Sequence, residues 1–240
     1  MRDGGHGGES VGGSQVRRGL KRLREDTKVA SRRPLLIFPC NGNGLEALDC
    51  LGDSFEFRGF VDDTPEKQRS GAFGHRVLPR SALADMPDAA VLAVPGGPAS
   101  YQGRRAVIEG LGIDPGRFAN VIHPAARVAA IATLGTNTLV MAGVVITSNA
   151  MIGDHVCLLP NTVIHHDVTV GKFSLIGANV AIAGNVTIGE NAYVGSGTNV
   201  RNGIRIGERA LVGLGSNVTR DVPPDSVVAG NPARPLPRKN

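Results

Sequence analysis

The feature that most constrains this chain is a six-residue repeat that runs from Val128 to Pro223 without an insertion or a deletion. An α-helix cannot keep an apolar position at strict period six on one face, because a turn of about 3.6 residues carries that position around the surface. All sixteen units begin with an aliphatic residue, so the period predicts a parallel β-helix. These first positions are Val128, Leu134, Val140, Ile146, Ile152, Leu158, Ile164, Val170, Ile176, Ile182, Ile188, Val194, Val200, Ile206, Val212 and Val218.

Three units complete one predicted turn of eighteen residues, so the first-position side chains fall into three internal columns. Successive turns are expected to lie about 4.8 Å apart, the ordinary spacing of hydrogen-bonded strands. In half of the units the second position is glycine, which is expected to give the backbone freedom near a corner. Asparagine tolerates left-handed backbone angles and suits the corners themselves. The asparagines expected there are Asn137, Asn149, Asn161, Asn179, Asn185, Asn191, Asn199 and Asn217.

Composition fits a β-helix and narrows the classes of partner. The chain has 240 residues, of which 41% are hydrophobic and only 4% aromatic, which suits a narrow core filled by valine and isoleucine. Its formal charge of +5 comes entirely from residues 1–33, which hold nine Arg or Lys against four Asp or Glu, whereas residues 34–240 hold seventeen of each. A neutral folded part predicts no nucleic-acid partner. No apolar run reaches the length of a membrane span.

The residues before the repeat have a different sequence pattern. Residues 1–33 are predicted to be a disordered basic tail. Strand-like runs at residues 34–38, 57–61 and 89–94 alternate with helical patterns, which predicts a small parallel, Rossmann-like α/β domain over residues 34–115. The ligand crevice of such a sheet lies past the carboxyl ends of its strands. Here those ends carry Asn41-Gly42-Asn43-Gly44, Asp62-Asp63 and Gly96-Gly97.

Two further segments complete the predicted organisation. The β-helix domain is expected to cover residues 116–223, and residues 224–240 are expected to form a C-terminal cap and tail. The three cysteines are odd in number and lack metal-type spacing, which favours a reducing, cytoplasmic location. Cys157, at a sixth unit position, is expected to be a thiol on the surface or at a corner.

One unit places titratable side chains where its neighbours place small ones. It reads Ile164-His165-His166-Asp167, between the equivalent stretches Thr147-Ser148-Asn149 and Ala183-Gly184-Asn185 of the adjoining turns. An imidazole with a pKa near about 6.5 can take a proton at neutral pH, and an adjacent carboxylate increases its basicity and fixes its tautomer. The pattern predicts a general base with room beside it for a substrate. A solvated pair of turn histidines is the alternative.

Metal binding is the other chemistry that histidines suggest. A zinc site in a trimeric repeat protein needs three converging histidines. His155 lies on a different predicted face from His166, and the adjacent His165 and His166 point in different directions. The sequence therefore favours no metal, with zinc-dependent activity as an alternative.

These features make the chain resemble the left-handed β-helix acetyltransferases. The motifs that carry the resemblance are the uninterrupted repeat, the His166-Asp167 unit, Ala183 to Glu190, and the closing segments Asp221-Val222-Pro223-Pro224 and Gly230-Asn231-Pro232-Ala233-Arg234. The α/β domain in front narrows it to the branch with the nucleotide-amino-sugar N-acetyltransferases and the sialic acid O-acetyltransferases. The resemblance implies a mainly β fold, a left-handed parallel β-helix preceded by that domain, and a homotrimer with acetyl-CoA as co-substrate between neighbouring prisms.

The resemblance also implies roles for individual residues. His166 is implied as the general base and Asp167 as its partner, for direct attack of the acceptor on the thioester. The residues implied to contact acetyl-CoA are Leu175, Gly184, Ser196 and Leu214. The residues implied to bind the nucleotide-linked amino sugar are Asn41, Gly42, Asn43, Asp62, Asp63 and Pro95.

Two prolines depart from the family pattern in the front domain. In the family, the turn after the first strand lies beside the phosphates of the substrate, and Pro39 replaces the first glycine of that turn. Pro95 replaces the glycine after the third strand. Proline lacks an N–H group, so each change can remove a donor aimed at the ligand. The predicted function is acetyl-CoA-dependent N-acetylation of a nucleotide amino sugar. The alternatives are O-acetylation of the sialic acid type, acylation of a non-nucleotide amine, and a catalytically silent assembly or sensor subunit.

Overall fold

The α/β part is built from strands that follow the three predicted apolar runs. The computed structural model describes residue 1 and residues 32–237, so the predicted tail lies almost wholly outside the described residues. The strands are β1 (Arg33–Phe38), β2 (Phe55–Val61), β3 (Val77–Leu78) and β4 (Ala90–Ala93), and the helices are α1 (Gly42–Glu46), α2 (Pro65–Ser70), α3 (Ala82–Asp85) and α4 (Arg104–Glu109). The strands are parallel, in the order β3-β2-β1-β4, so the predicted α/β architecture is confirmed.

The six-residue units and the segment just before them form strands of only two residues. These are β5 (Val121–Ile122), β6 (Arg127–Val128), β7 (Thr133–Leu134), β8 (Leu139–Val140), β9 (Val145–Ile146), β10 (Met151–Ile152), β11 (Cys157–Leu158), β12 (Val163–Ile164), β13 (Thr169–Val170), β14 (Leu175–Ile176), β15 (Ala181–Ile182), β16 (Thr187–Ile188), β17 (Tyr193–Val194), β18 (Asn199–Val200), β19 (Arg205–Ile206), β20 (Leu211–Val212) and β21 (Asn217–Val218). After the repeat, β22 (Val227–Ala229) pairs with β20, and β23 (Arg234–Pro235) folds back against β22.

Every third strand pairs in parallel, which divides the described strands of the prism among three faces. Face I consists of β5, β8, β11, β14, β17, β20, β22 and β23. Face II consists of β6, β9, β12, β15, β18 and β21, and face III of β7, β10, β13, β16 and β19. Partner residues are eighteen positions apart, as in Cys157 with Leu175 and Val163 with Ala181. The predicted parallel β-helix is therefore confirmed, and the chain passes from face I to II to III in each turn.

The first-position residues fill the interior of the prism. Ile146, Leu158 and Ile164 are fully buried and belong to one continuous core that follows the axis. The second-position glycines have a different role from the one expected, because their φ values are ordinary. A Cβ on Gly195 would lie 2.5 Å from the backbone nitrogen of Leu214 in the next turn. Glycine is needed there because successive turns approach each other closely.

The corners confirm most of the asparagine prediction. Asn137, Asn149, Asn161, Asn179, Asn185 and Asn191 all have positive φ values between 54° and 60°. The prediction is wrong for Asn199 and Asn217, which lie in strands β18 and β21 and face outward. There the amide of Asn199 donates to Asn217 Oδ1 at 3.0 Å. Their sixth unit position, not their residue type, decides where they lie.

The α/β sheet packs against face I of the prism. Leu35 and Ile37 of β1 share a buried apolar cluster with Leu139, Cys157 and Leu175. The prediction of a surface or corner thiol at Cys157 is therefore wrong, since the sheet covers it completely. The chain from Arg33 onward groups as one compact unit, so the boundaries at residues 34–115, 116–223 and 224–240 stay predictions. No helix among residues 32–237 is long and apolar enough to cross a membrane.

Polar groups complete this contact at the sheet edge. The side-chain amide of Asn137 donates to Ala93 O at 2.8 Å and accepts from Ala93 N at 2.7 Å, so it pairs with edge strand β4 as another strand would. The same amide nitrogen lies 3.0 Å from Nδ1 of His155, whose ring stacks on Phe173 at 4.6 Å. Because Asn137 Nδ2 is a donor, His155 Nδ1 must accept and the ring is neutral.

His155 makes the stability of this contact depend on pH. The pKa of His155 is lowered from 6.5 to about 4, mainly by burial; the charge of Asp154 opposes this lowering, and the charges of Arg104 and Lys172 add to it. Below about pH 6.5 the unfolded chain gains a proton that the folded chain refuses until near pH 4, so the free energy of unfolding falls on acidification.

We expect this effect to cost about 2 kcal/mol of stability between pH 7 and pH 5. In a His155→Asn variant the left-handed corner is retained, as at Asn137 and Asn191, and the proton-linked loss is absent. Denaturant unfolding of both proteins across this range measures the difference. Parallel stability curves for the two proteins would contradict the assignment.

Candidate active site

His166 lies at the corner between faces II and III, in the turn that joins β12 to β13. Its side chain is directed away from the prism interior and is 55% exposed. The next residue, Asp167, has a φ of 59°, which turns its carboxylate back toward the histidine. His166 Nδ1 and Asp167 Oδ2 are 2.7 Å apart. The predicted neighbour pair is thus in direct hydrogen-bond contact.

Asn149, one turn earlier, holds the carboxylate in this orientation. Its side-chain nitrogen donates to Asp167 Oδ1 at 2.7 Å. The hydrogen bonds from Asn149 and then from His166 lower the pKa of Asp167, so the carboxylate is ionised at neutral pH. An ionised carboxylate only accepts, so in the neutral imidazole Nδ1 carries the hydrogen and Nε2 has the lone pair. The geometry leaves a proton acceptor on the outer side of the ring.

Gly184, one turn later, lies directly under the imidazole. A Cβ at this position would come 2.5 Å from His166 Cε1 and 2.6 Å from Nε2. The backbone N–H of Asn185 donates to His166 O at 3.1 Å, which fixes the two turns against each other. The ring can occupy its position only because residue 184 has no side chain.

The residues implied for acetyl-CoA fall into two groups. Within residues 32–237, the backbone N–H groups of Gly184, Ser196 and Leu214 make no hydrogen bond and are free to donate to a ligand. Ser196 and Leu214 stand one turn apart at the corner between faces I and II, and Leu214 is 81% exposed. These two residues and Gly184 therefore border face II. Leu175 needs a correction, because it is 2% exposed and packs under the α/β sheet, where it cannot reach a ligand.

The turn after β1 and the loop after β4 are joined at the carboxyl end of the sheet. Asn41 caps α1 by accepting from Gly44 N at 2.8 Å, and its amide nitrogen donates to Val94 O at 3.3 Å. Asn43 donates to Gly96 O at 3.3 Å, next to Pro95. A Cβ on Gly42 would meet nothing within 4 Å, so the turn faces open space. The structure brings four of the six residues implied for the sugar nucleotide together past the carboxyl ends of β1 and β4, where the ligand crevice is predicted.

The acidic pair does not act as a unit. Asp62 is 6% exposed, and its carboxylate accepts from Lys67 Nζ at 2.8 Å, Thr64 N at 3.0 Å and Cys40 N at 3.2 Å. Burial alone raises the pKa of Asp62, but the hydrogen bonds from Lys67 and Thr64 outweigh it and lower the pKa. The expected nucleotide contact of Asp62 is corrected: its carboxylate is occupied in holding the turn after β1.

Asp63 is placed differently. It is half exposed and pairs with Arg80, with 2.9 Å between Oδ2 and Nε. This half-exposed pair offers both an acceptor and donors to a ligand. His155 and His166 lie at different corners, and no cluster of three His, Cys, Asp or Glu side chains occurs in the described part of the chain.

The comparisons with known proteins agree with the repeat and the fold. The sequence matches the bacterial transferase hexapeptide (six repeats) family over residues 149–184 and 167–202. A sequence comparison with curated proteins found no match. Among solved structures, PerB from Caulobacter crescentus with CoA and GDP-perosamine is 27% identical, with a TM-score of 0.74 over 87% of this chain and 99% of that one.

Two further solved structures extend the comparison. A variant of perosamine N-acetyltransferase from Caulobacter crescentus with one histidine replaced by asparagine, bound to CoA and GDP-perosamine, is 25% identical, with a TM-score of 0.76 over 87% of this chain and 99% of that one. The acetyltransferase domain of PglB from Neisseria gonorrhoeae FA1090, with acetyl coenzyme A, is 27% identical, with a TM-score of 0.75 over 85% of this chain and 100% of that one. Repeats and fold together identify this chain as a hexapeptide-repeat acyltransferase with the architecture of the nucleotide-amino-sugar N-acetyltransferases.

Proposed function

We propose that this protein transfers the acetyl group of acetyl-CoA to the amino group of a nucleotide-linked amino sugar, with His166 as the general base. The observation that carries the proposal is the His166 imidazole, held by Asp167 on one side and open at Nε2 on the other. It stands on a fold shared with proteins that were solved with CoA and GDP-perosamine. We also infer a cytoplasmic location, since all three cysteines are unpaired.

The chemistry passes one proton from the amine through His166 to the departing thiolate of CoA, and it requires no acyl-enzyme. The acceptor amine attacks the thioester carbonyl carbon, and His166 Nε2 takes a proton from the attacking nitrogen while Asp167 stabilises the resulting imidazolium. The carbon–sulfur bond then breaks, and the proton leaves with the thiol of CoA. Cys40, Cys50 and Cys157 are all buried, so no thiol of this chain is available as a nucleophile. Direct attack is the route that these residues support.

The acceptor binds, in this proposal, at the crevice between Asn41-Gly42-Asn43 and Pro95. The open space beside Gly42 accommodates the phosphates. Asp63, with Arg80, is the acidic residue that we assign to the nucleotide end, because the carboxylate of Asp62 is occupied by Lys67. No single residue observed here favours a hydroxyl acceptor.

The positions of the two half-sites support a homotrimer. The α/β sheet covers face I, whereas His166 stands at the corner between faces II and III, which is opposite face I in a triangular prism. The crevice and His166 nevertheless lie at the same level along the prism axis. His166 lies in the same turn as Cys157 and Phe173. Arg104 contacts both of those residues and also donates to Pro95, which lies beside the crevice. We propose that the crevice of one chain faces His166 of a neighbouring copy, with acetyl-CoA between the prisms along face II.

The general base can be tested with a matched pair of histidines. We expect His166→Ala to lower kcat about 100-fold or more, which is the usual contribution of general base catalysis. His165→Ala is the control, since this adjacent exposed side chain makes no contact with Asp167. Release of CoA thiol from acetyl-CoA with a panel of nucleotide amino sugars measures both variants. Full activity of folded His166→Ala would contradict the proposal.

Gly184→Ala tests the position of the ring without removing it. The added methyl group would displace the imidazole from over residue 184, so kcat is expected to fall at least about tenfold while the melting temperature changes little. Nitrogen NMR of the imidazole reports whether the contact with Asp167 is lost. Unchanged kcat together with a displaced ring would show that the position of Nε2 is not critical.

Mixed trimers test the shared site. Gly42→Asp retains a good first residue for α1 but puts a negative charge beside the diphosphate, and His166→Ala removes the base. Each homotrimer is expected to be inactive. After unfolding and refolding an equal mixture, we expect roughly a quarter of wild-type activity, because a quarter of the neighbouring pairs combine an intact crevice with an intact His166. Absence of any recovery in verified mixed trimers would indicate that each chain uses its own histidine.

A further inference from the structure

Arg104 is a buried cation for which the proposed reaction provides no role. It is the first residue of α4 and is only 1% exposed. Its Nε donates to Phe173 O at 3.0 Å, its Nη2 donates to His155 O at 2.7 Å and lies 3.6 Å from Cys157 Sγ, and its Nη1 donates to Pro95 O. One guanidinium thus joins two turns of the prism to the loop after β4.

The carbonyl groups that accept from Arg104 explain why several N–H donors on one side chain are needed at this position. His155 and Phe173 occupy equivalent corner positions eighteen residues apart, and within residues 32–237 their carbonyl oxygens accept from Arg104 alone. A buried carbonyl that is left unpaired destabilises the folded state. Three carbonyls in different directions match the planar guanidinium, whereas the single ammonium of lysine cannot reach all of them in that geometry.

Attachment of α4 to the prism does not by itself explain why a buried arginine stands at position 104. Arg105, the next residue, is half exposed, pairs with Glu190 and lies over the ring of Phe173 at 4.9 Å. It therefore ties the same helix to the same corner at less desolvation cost. No carboxylate in the described residues pairs with Arg104, so its burial is expensive. Arg104, unlike Arg105, joins the prism to the loop after β4 through its bond to Pro95 O.

The loop at Pro95 belongs to the acceptor crevice. Gly96 has a φ of +100°, and a Cβ there would lie 2.7 Å from Arg104 Cγ, so the loop rests directly on the arginine stem. From the other side, Asn43 donates to Gly96 O and Asn41 donates to Val94 O. A continuous series of contacts therefore runs from the turn after β1, through the loop, to Arg104 and the prism.

We propose that Arg104 is a positioning residue for the nucleotide sugar. It fixes the position of the loop at Pro95 and Gly96 along the prism axis, which is the height of the loop on the prism. Through Asn43 it also fixes the height of the turn at residues 41–43. Because the acceptor is held by the α/β part and the thioester by the prism, this height determines where the amine lies relative to the reacting carbon. The inference rests on the proposed function and adds the residue that aligns its two halves.

The test compares Arg104→Lys with the matched control Arg105→Lys. Calorimetric titrations with UDP, GDP, dTDP and CoA give the affinities, and thermal unfolding gives the stability of each protein. We expect Arg104→Lys to weaken binding of the preferred nucleotide about tenfold and to change the affinity for CoA less than about twofold. Arg105→Lys is expected to leave both affinities within about twofold, even where it lowers the melting temperature. In turnover, the same selectivity is expected in the KM values of the two substrates.

Each outcome is decisive for the inference. Folded Arg104→Lys with wild-type nucleotide affinity, or with equal weakening of nucleotide and CoA, would overturn it. If Arg104→Lys does not fold, Gly96→Ala is used, since it pushes the loop off the arginine stem and leaves both prism carbonyls satisfied. Unchanged nucleotide affinity in Gly96→Ala would likewise overturn the inference. Wild-type protein that binds CoA but none of the three nucleotides would instead refute the proposed acceptor class.

Discussion

The structure depends on one constraint, the close spacing of successive turns of the prism. Backbone hydrogen bonds between adjacent turns bring the turns so near that a side chain at a position such as Gly195 would meet the backbone of the next turn. The same spacing makes equivalent positions of adjacent turns touch. Asn149 reaches Asp167, and His166 lies on Gly184, because each pair is separated by a single turn. The candidate catalytic group is therefore a product of the repeat and not of a separate loop.

This spacing also determines how a second layer can attach. A corner of the prism presents outward carbonyls at a fixed interval, and a buried layer laid over it must pair with them. The α/β part does so with Arg104 at residues 155 and 173, while Asn137 turns its amide outward to pair with β4. The apolar contact of β1 with Leu139 and Leu175 supplies the area, and these polar contacts supply the register. Such a junction has one arrangement, because a shift along the axis would leave several of its donors and acceptors unpaired at once.

The sequence predicts what depends on the period and misses what depends on the junction. Unit position places the aliphatic columns, the six corner asparagines and the outward direction of His166, because each follows from counting by six and eighteen. The same counting assigns Asn199 and Asn217 to strands by their sixth position, although asparagine as a residue type favours corners. Leu175 and Cys157 could not be located in this way, since a sixth-position side chain faces solvent or the α/β sheet depending on the face it occupies. The contacts of Asp62 and Arg104 are harder still to predict, because their partners are determined by the packing of β1, β2 and β4 against one another and against the prism.

Because the prism is rigid, a single chain cannot exclude water from the reacting groups by closing over them. Enzymes that exclude water from a reacting thioester commonly close a lid or a domain over it, which strengthens the electrostatic interactions inside. Here His166 is more than half exposed, and the turns around it are tied on both sides by hydrogen bonds to their neighbours. A scaffold that cannot close must be covered by something else, and in the proposed trimer the crevice of a neighbouring chain provides that cover. Desolvation of the base, alignment of the amine and binding of the nucleotide would then arise together on assembly, which makes the oligomer itself the catalytic unit.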